Sequence, residues 1–161
     1  RFKVEESRTG HGDLTSEFTS RDKNDYTYKL SSSSLTASAT YRSQTYSRTQ
    51  TDYSNIYTAK PDPGSTSAYT LSFSINGTVA TDALSAGGAS RSRFTYSTPT
   101  ALVRLNSDSY PSSGQLKVTG ANNSAIRLTV VSKTQFTIEL DANGDGEYES
   151  TTRPVNWSDY L

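Results

Sequence analysis

Across 161 residues the sixteen basic and sixteen acidic side chains cancel, which excludes the strong field that gathers nucleic acid or anionic lipid. Cysteine is absent, so disulfides, thiolate metal sites and a cysteine nucleophile are excluded as well. Only 32% of residues are hydrophobic and about a third are Ser or Thr, a composition close to disorder, but eleven Tyr, five Phe and one Trp fall in alternating patterns and predict a folded domain.

No apolar run approaches the roughly 18 residues of a membrane-spanning helix. Methionine is missing even at position 1, so the chain is expected to begin inside a longer gene product. Residues 1–25 are charged, with few apolar anchors beyond Phe2, Val4, Leu14 and Phe18, and read as an edge strand followed by a loosely ordered loop. Tyr26, Tyr28 and Leu30 then share one face of a strand, and Leu35, Ala37, Ala39 and Tyr41 share one face of the next. The serines Ser31 to Ser34 between them predict a hairpin turn. Tyr53, Asn55 and Tyr57 continue the alternation up to a breaker cluster of Pro61, Pro63 and Gly64. That cluster marks a weak division near 60–66, yet each half is small, and a single β-domain over 1–161 is expected.

Tyr69, Leu71, Phe73 and Ile75 give the cleanest alternation in the chain. A glycine-rich stretch over 82–92 reads as a flexible loop, and Phe94, Tyr96, Leu102, Val103 and Leu105 as the strand after it. Pro99 is expected to end or bend that strand, because it cannot donate to a ladder. Four short strands are predicted for the remainder. Turns centred on Asn122 and Lys133 set Val118 opposite Ile126, Leu128 opposite Ile138, Lys117 beside Arg127 and Arg127 across from Glu139. Apolar and charged rows then fall on opposite faces, as a one-sided antiparallel sheet requires.

The stretch "ELDANGDGEYES", Glu139 to Ser150, is tested by the same parity. A two-residue Asn143-Gly144 turn puts Glu147 and Glu149 over the core face. An odd-length loop centred on Gly144 instead pairs Leu140 with Tyr148, Glu139 with Glu149 and Asp141 with Glu147. It keeps the core apolar and is the expected form, at the cost of two facing acids. The spacing of Asp141, Asn143, Asp145 and Gly146 is similar to the calcium loop of EF-hands and dockerins. That resemblance implies Asp141, Asn143 and Asp145 as ligands, Glu147 through its carbonyl and Glu149 at the ninth position. A partial site of Asp141, Asn143, Asp145 and the Glu147 side chain would bind calcium. The twelfth position departs from the pattern: Thr152 stands where a bidentate acid belongs. Asp, Asn and Gly also form turns with no metal, so calcium site and plain turn both stand.

His11, the one histidine, lies between glycines near Asp13 and reads as a solvated loop residue rather than a catalytic base. Arg42 and Arg48 beside Tyr41 and Tyr46 faintly resemble a nucleic-acid strip, against which the neutral charge argues. The strand faces are too rich in Ser, Thr and Ala for an outer-membrane barrel. An all-β fold is expected, an antiparallel β-sandwich or a strongly curved sheet with a C-terminal four-strand meander whose end Trp157 caps. The Asp/Gly-rich turn followed by Trp157 resembles the ends of uncharacterised exported or lipoprotein β-domains of bacteria. The resemblance implies an exported location, periplasmic, outer-membrane-attached or extracellular. A non-catalytic structural or interaction module, meeting protein or glycan at a surface, is the leading expectation. A carbohydrate-binding module using tyrosine faces is the second, and an enzyme is not expected.

Overall fold

The computed structural model describes residues 7–41, 44–82 and 92–160; Phe2, Val4, Arg42 and the loop 83–91 lie outside them. Strands make up 70% of the described residues, and no α-helix is present among them. They are β1 (Ser7–Gly12), β2 (Thr15–Asp22), β3 (Asp25–Tyr41), β4 (Gln44–Pro61), β5 (Tyr69–Thr81), β6 (Ser92–Leu105), β7 (Ser113–Thr119), β8 (Ala125–Ser132), β9 (Gln135–Asp141), β10 (Ser150–Thr151) and β11 (Val155–Asn156). All join one antiparallel sheet that is not closed into a barrel. From β3 to β9 each strand pairs with its successor in the chain. The expected all-β antiparallel fold is present, and of its two forms the structure takes the single sheet.

Both sheet edges are built from pieces. β1 pairs with the half of β3 from Leu35 to Thr40, while β2 pairs with the half from Asp25 to Ser31. The N-terminal segment therefore supplies two edge strands, where one strand and a loop were expected. Asp13, between them, takes hydrogen bonds from Ser33 Oγ (2.8 Å), Ser32 Oγ (3.2 Å) and the Ser34 amide (3.2 Å). Those bonds hold the serine tract extended inside β3, so the hairpin turn expected at Ser31 to Ser34 is not there. β3 instead continues to Tyr41, which pairs with Gln44 of β4. The change of alternation at the serines is real: Leu30 and Leu35, five residues apart, reach the same groove while β3 keeps one register with β4.

The breaker cluster near 60–66 forms the tip of a hairpin whose strands pair from Pro61–Tyr69 to Arg48–Thr81. Across the middle of the sheet runs a line of irregularities. β4 carries one extra residue around Asp52, which takes a positive φ of 54°. β6 slips against both neighbours around Thr98 and Pro99, and the Thr98 hydroxyl accepts the Ile75 amide (3.1 Å). Pro99 thus bends its strand without ending it. Bulges increase local twist and bend the strands that carry them.

Pairing parity puts nearly every large apolar side chain from β2 to β9 on one face. From β7 to β9 the meander register is as expected, with Val118–Ile126, Lys117–Arg127, Leu128–Ile138 and Arg127–Glu139 paired. The tightest packing lies at its end, where Leu102, Val130, Phe136 and Trp157 form the buried core. Trp157 sits in a short 3-10 turn after β11, its ring 4.4 Å from Phe136 and stacked on Tyr110 at 5.8 Å. Such ring pairs contribute about 1 kcal/mol each beyond the area they bury. Toward β3 no comparable cap lies over the apolar face among the described residues. The accessible surface is accordingly 10699 Å², against roughly 7,900 Å² for a compact monomer of this mass.

Asp52 tests the central irregularity. Asp52→Val, a β-branched residue forced to positive φ, is expected to lower stability by about 1–2 kcal/mol in urea unfolding, whereas Asp52→Gly holds or raises it.

Candidate functional site

The uncapped part of the apolar face forms a groove of about 860 Å³. Leu30 and Leu35 of β3, Ile75 and Val79 of β5, Phe94 of β6 and Leu116 of β7 line it, with Leu14 closing it at the edge. Leu14, just before β2, lies five strand positions from Leu116. In a flat sheet that separation is about 24 Å at roughly 4.8 Å per strand. One groove bounded by both requires the apolar face to be concave, and the central bulges supply the bend.

The groove has a polar strip on β4. Arg48 Nη2 donates to Gln50 Oε1 (3.0 Å), and Gln50 Nε2 donates to the Tyr96 hydroxyl across β5. Tyr96 lies over Gly77, its cross-strand partner; a Cβ on Gly77 would stand 2.6 Å from the phenol oxygen. Glycine at 77 thus lets the ring lie flat on the backbone. Burial raises the Tyr96 pKa above the ordinary tyrosine value, and neighbouring Tyr53 adds to the rise. In the sequence Arg48 bears only a faint likeness to a nucleic-acid strip, against which the neutral charge argues, and Gln50 carries no expected role. In plain alternation both belong to the face opposite Tyr53 and Tyr57. The extra residue at Asp52 reverses that parity and turns them into the groove.

A second aromatic group lies toward the other end of the same face. Phe18 and Tyr28 are directly paired and exposed, Phe18 touches Tyr26 at 5.7 Å, and Tyr26 stacks on Tyr57 at 6.1 Å. Burial, with Tyr26 beside it, raises the Tyr57 pKa.

The acidic loop departs from its expected register. Leu140 pairs with Ser150 and Glu139 with Thr151, so the loop keeps odd parity but is two residues longer and centres on Asp145. The reason is Asp141, whose buried carboxylate accepts the Gly144 amide (2.7 Å) and the Gly146 amide (3.0 Å). These bonds wind residues 142–149 around it, and the Glu149 amide closes the loop on Leu140 O at 3.0 Å. Gly144 has a φ of +79°, and a Cβ there would stand 2.0 Å from the Asn122 carbonyl oxygen. The loop is therefore seated on the β7–β8 turn.

Asp141 consequently does not face Glu147. Asp141, Asp145 and Glu149 are the acids brought together, with carboxylate oxygens within 4.8 Å of one another. Glu147 is exposed and outside that group. Asn143 stands beside it, its side-chain amide donating to Asp145 (3.0 Å) and its carbonyl accepting the Asp145 amide (2.9 Å). Glu149 accepts the Ala142 amide (2.9 Å), the main reason its pKa falls below the ordinary carboxylate value. Backbone amides thus offset the charge repulsion, and hard carboxylate oxygens remain as the donor set for a cation such as calcium. Thr152 closes the sheet: its hydroxyl accepts the Ile138 amide (2.9 Å) and its own amide donates to Ile138 O (2.8 Å).

On the polar face Arg127 and Glu139 form a two-pronged pair at 2.7 and 2.9 Å, and Thr129 adds a bond to Glu139 (3.1 Å). Tyr148, expected over the core, turns to this face and lies under the guanidinium, 4.1 Å from its ring centroid. His11 is exposed on edge strand β1, and the carboxylate of nearby Asp13 is taken up by the serine tract. Among the described residues no helix is long and apolar enough to cross a membrane. Comparison of the chain with protein-family models, with curated proteins and with solved structures finds no match.

The polar-face pair sets a pH dependence. Its hydrogen bonds hold the Glu139 pKa below the ordinary 4.5, so its stabilisation is complete above that value and is lost as pH falls through the lowered one. Between pH 6 and pH 3 the wild-type protein is expected to lose about 1 kcal/mol more than Glu139→Gln, measured as the urea midpoint at each pH.

Proposed function

We propose that the protein is a non-catalytic binding module that takes an apolar ligand on its concave face. The observation that carries this reading is the groove of about 860 Å³, floored by Leu, Ile, Val and Phe side chains and uncovered among the described residues. A sheet normally covers such a face with a second layer, and large exposed apolar patches mark binding surfaces. The extracytoplasmic location rests on composition: a cysteine-free chain rich in Ser, Thr and Tyr. Nile red, an uncharged apolar dye, is expected to bind saturably at one site. Leu35→Trp, which fills the groove, should weaken that binding about fivefold or more. Absence of saturable binding in the wild-type protein would remove the proposal.

The carboxylate group on the C-terminal loop favours a second, separate role, a calcium-binding turn that braces the last hairpin. Asp141, Asp145 and Glu149 supply its acids, with Glu149 standing where Glu147 was expected. A cation bound only by the folded chain raises the melting temperature once its concentration passes the dissociation constant. Millimolar calcium is therefore expected to raise the melting temperature and chelator to reverse the rise. Glu149→Gln should abolish the response, and an identical melt with calcium and with chelator rules the site out.

The exposed rings of Phe18 and Tyr28, with half-buried Tyr26 beside Phe18, are the surface on which a glycan would stack, and the place where the carbohydrate reading survives.

A further inference from the structure

We infer that the ligand of the concave groove is a long-chain carboxylate, with its acyl chain along the apolar floor and its carboxylate on Arg48 and the Tyr96 hydroxyl. This inference rests on the apolar-groove reading and names the ligand class for that site. Three observations carry it. First, among the described residues Arg48 is the one charged side chain lining the groove, and no Asp or Glu is found there. Its guanidinium bonds to neutral Gln50 (3.0 Å), and among the described residues no carboxylate pairs with it. Asp82, the acid next along the chain from Thr81, accepts from the Ser47 amide (2.6 Å) and hydroxyl (2.8 Å) instead.

Second, the Tyr96 phenol accepts from Gln50, so its own proton remains available to a ligand. Gln50 bonds to both Arg48 and Tyr96, so the guanidinium and the phenol flank one side-chain amide. A cationic fork and a hydroxyl beside it form a charge-assisted donor set for a carboxylate. Third, Arg48, paired with Thr81, is the lining residue at one end of the groove along β4, and Gln50 and Tyr96 stand inward of it, level with Leu35, Val79 and Phe94. From Arg48 to Asn55, both in its lining, β4 runs for about 23 Å at roughly 3.3 Å per residue. The site is therefore a long apolar trough with a single cationic end, which matches an amphiphile with an anionic head.

The test is isothermal titration of the protein with three probes that share a twelve-carbon chain, kept below micelle formation: laurate, uncharged dodecyl maltoside and dodecyltrimethylammonium. Laurate is expected to bind about tenfold tighter than the maltoside, with the cation weakest. Added salt should shrink that difference. Arg48→Gln should erase the advantage of laurate over the maltoside, and Tyr96→Phe, which keeps the ring over Gly77, should reduce it about two- to fivefold. Equal affinity for the three heads, or a laurate preference that survives Arg48→Gln, overturns the carboxylate assignment and leaves the apolar groove standing. Failure of all three probes to bind overturns both. Light scattering that finds a dimer which laurate cannot dissociate means a second copy of the chain fills the groove, and that too overturns the assignment.

Discussion

A sheet that carries its apolar side chains on one face, with no second layer among the described residues, can shelter them only by bending. The bend, the groove and the aromatic cap of this structure follow from that constraint. With 32% hydrophobic residues in the chain, and most of the large ones from β2 to β9 on one side of the pleat, few apolar side chains are left among the described residues for a second inner face. The bend is concentrated where the ladders slip, at Asp52 in β4 and at Thr98 and Pro99 in β6. There the lost ladder geometry is partly made up by side chains, as when the Thr98 hydroxyl takes the Ile75 amide.

The two ends of the concave face meet the constraint differently. At the meander end Trp157 folds over Phe136 and Tyr110, and the face becomes a core. Its indole N–H has no acceptor among the described residues, so the cap works through area and ring contact. Toward β3 the face remains a trough, and the bend gives it depth. The same bulge that bends β4 turns Arg48 and Gln50 inward, so the shape of the groove and its polar strip share one cause. The acidic loop is independent of this: it is a backbone nest wound on the Asp141 carboxylate and seated on the β7–β8 turn through Gly144.

Much of this was legible from residues alone. Alternation gave the strands, and separation of apolar from charged rows gave the meander register down to Arg127 across from Glu139. Reading failed where a side chain, rather than a period, decides the backbone. Ser31 to Ser34 look like a turn until Asp13, from a neighbouring strand, is there to hold them extended. Glu147 and Tyr148 were placed by a loop two residues too short, because a carboxylate that gathers two amides has no signature in alternation.

The sequence by itself determined the class, the alternation of most strands, the one-sided distribution of apolar residues and the aromatic cap at Trp157. These depend on period-2 patterning and composition, which are local. Only the tertiary structure decided that the sheet stays single, where it bends, which acids meet and which polar groups enter the groove. Each of those hangs on a ladder slip or a long-range hydrogen bond. One extra residue in one strand reverses the facing of every side chain beyond it, and which residue slips is set by the neighbouring strand.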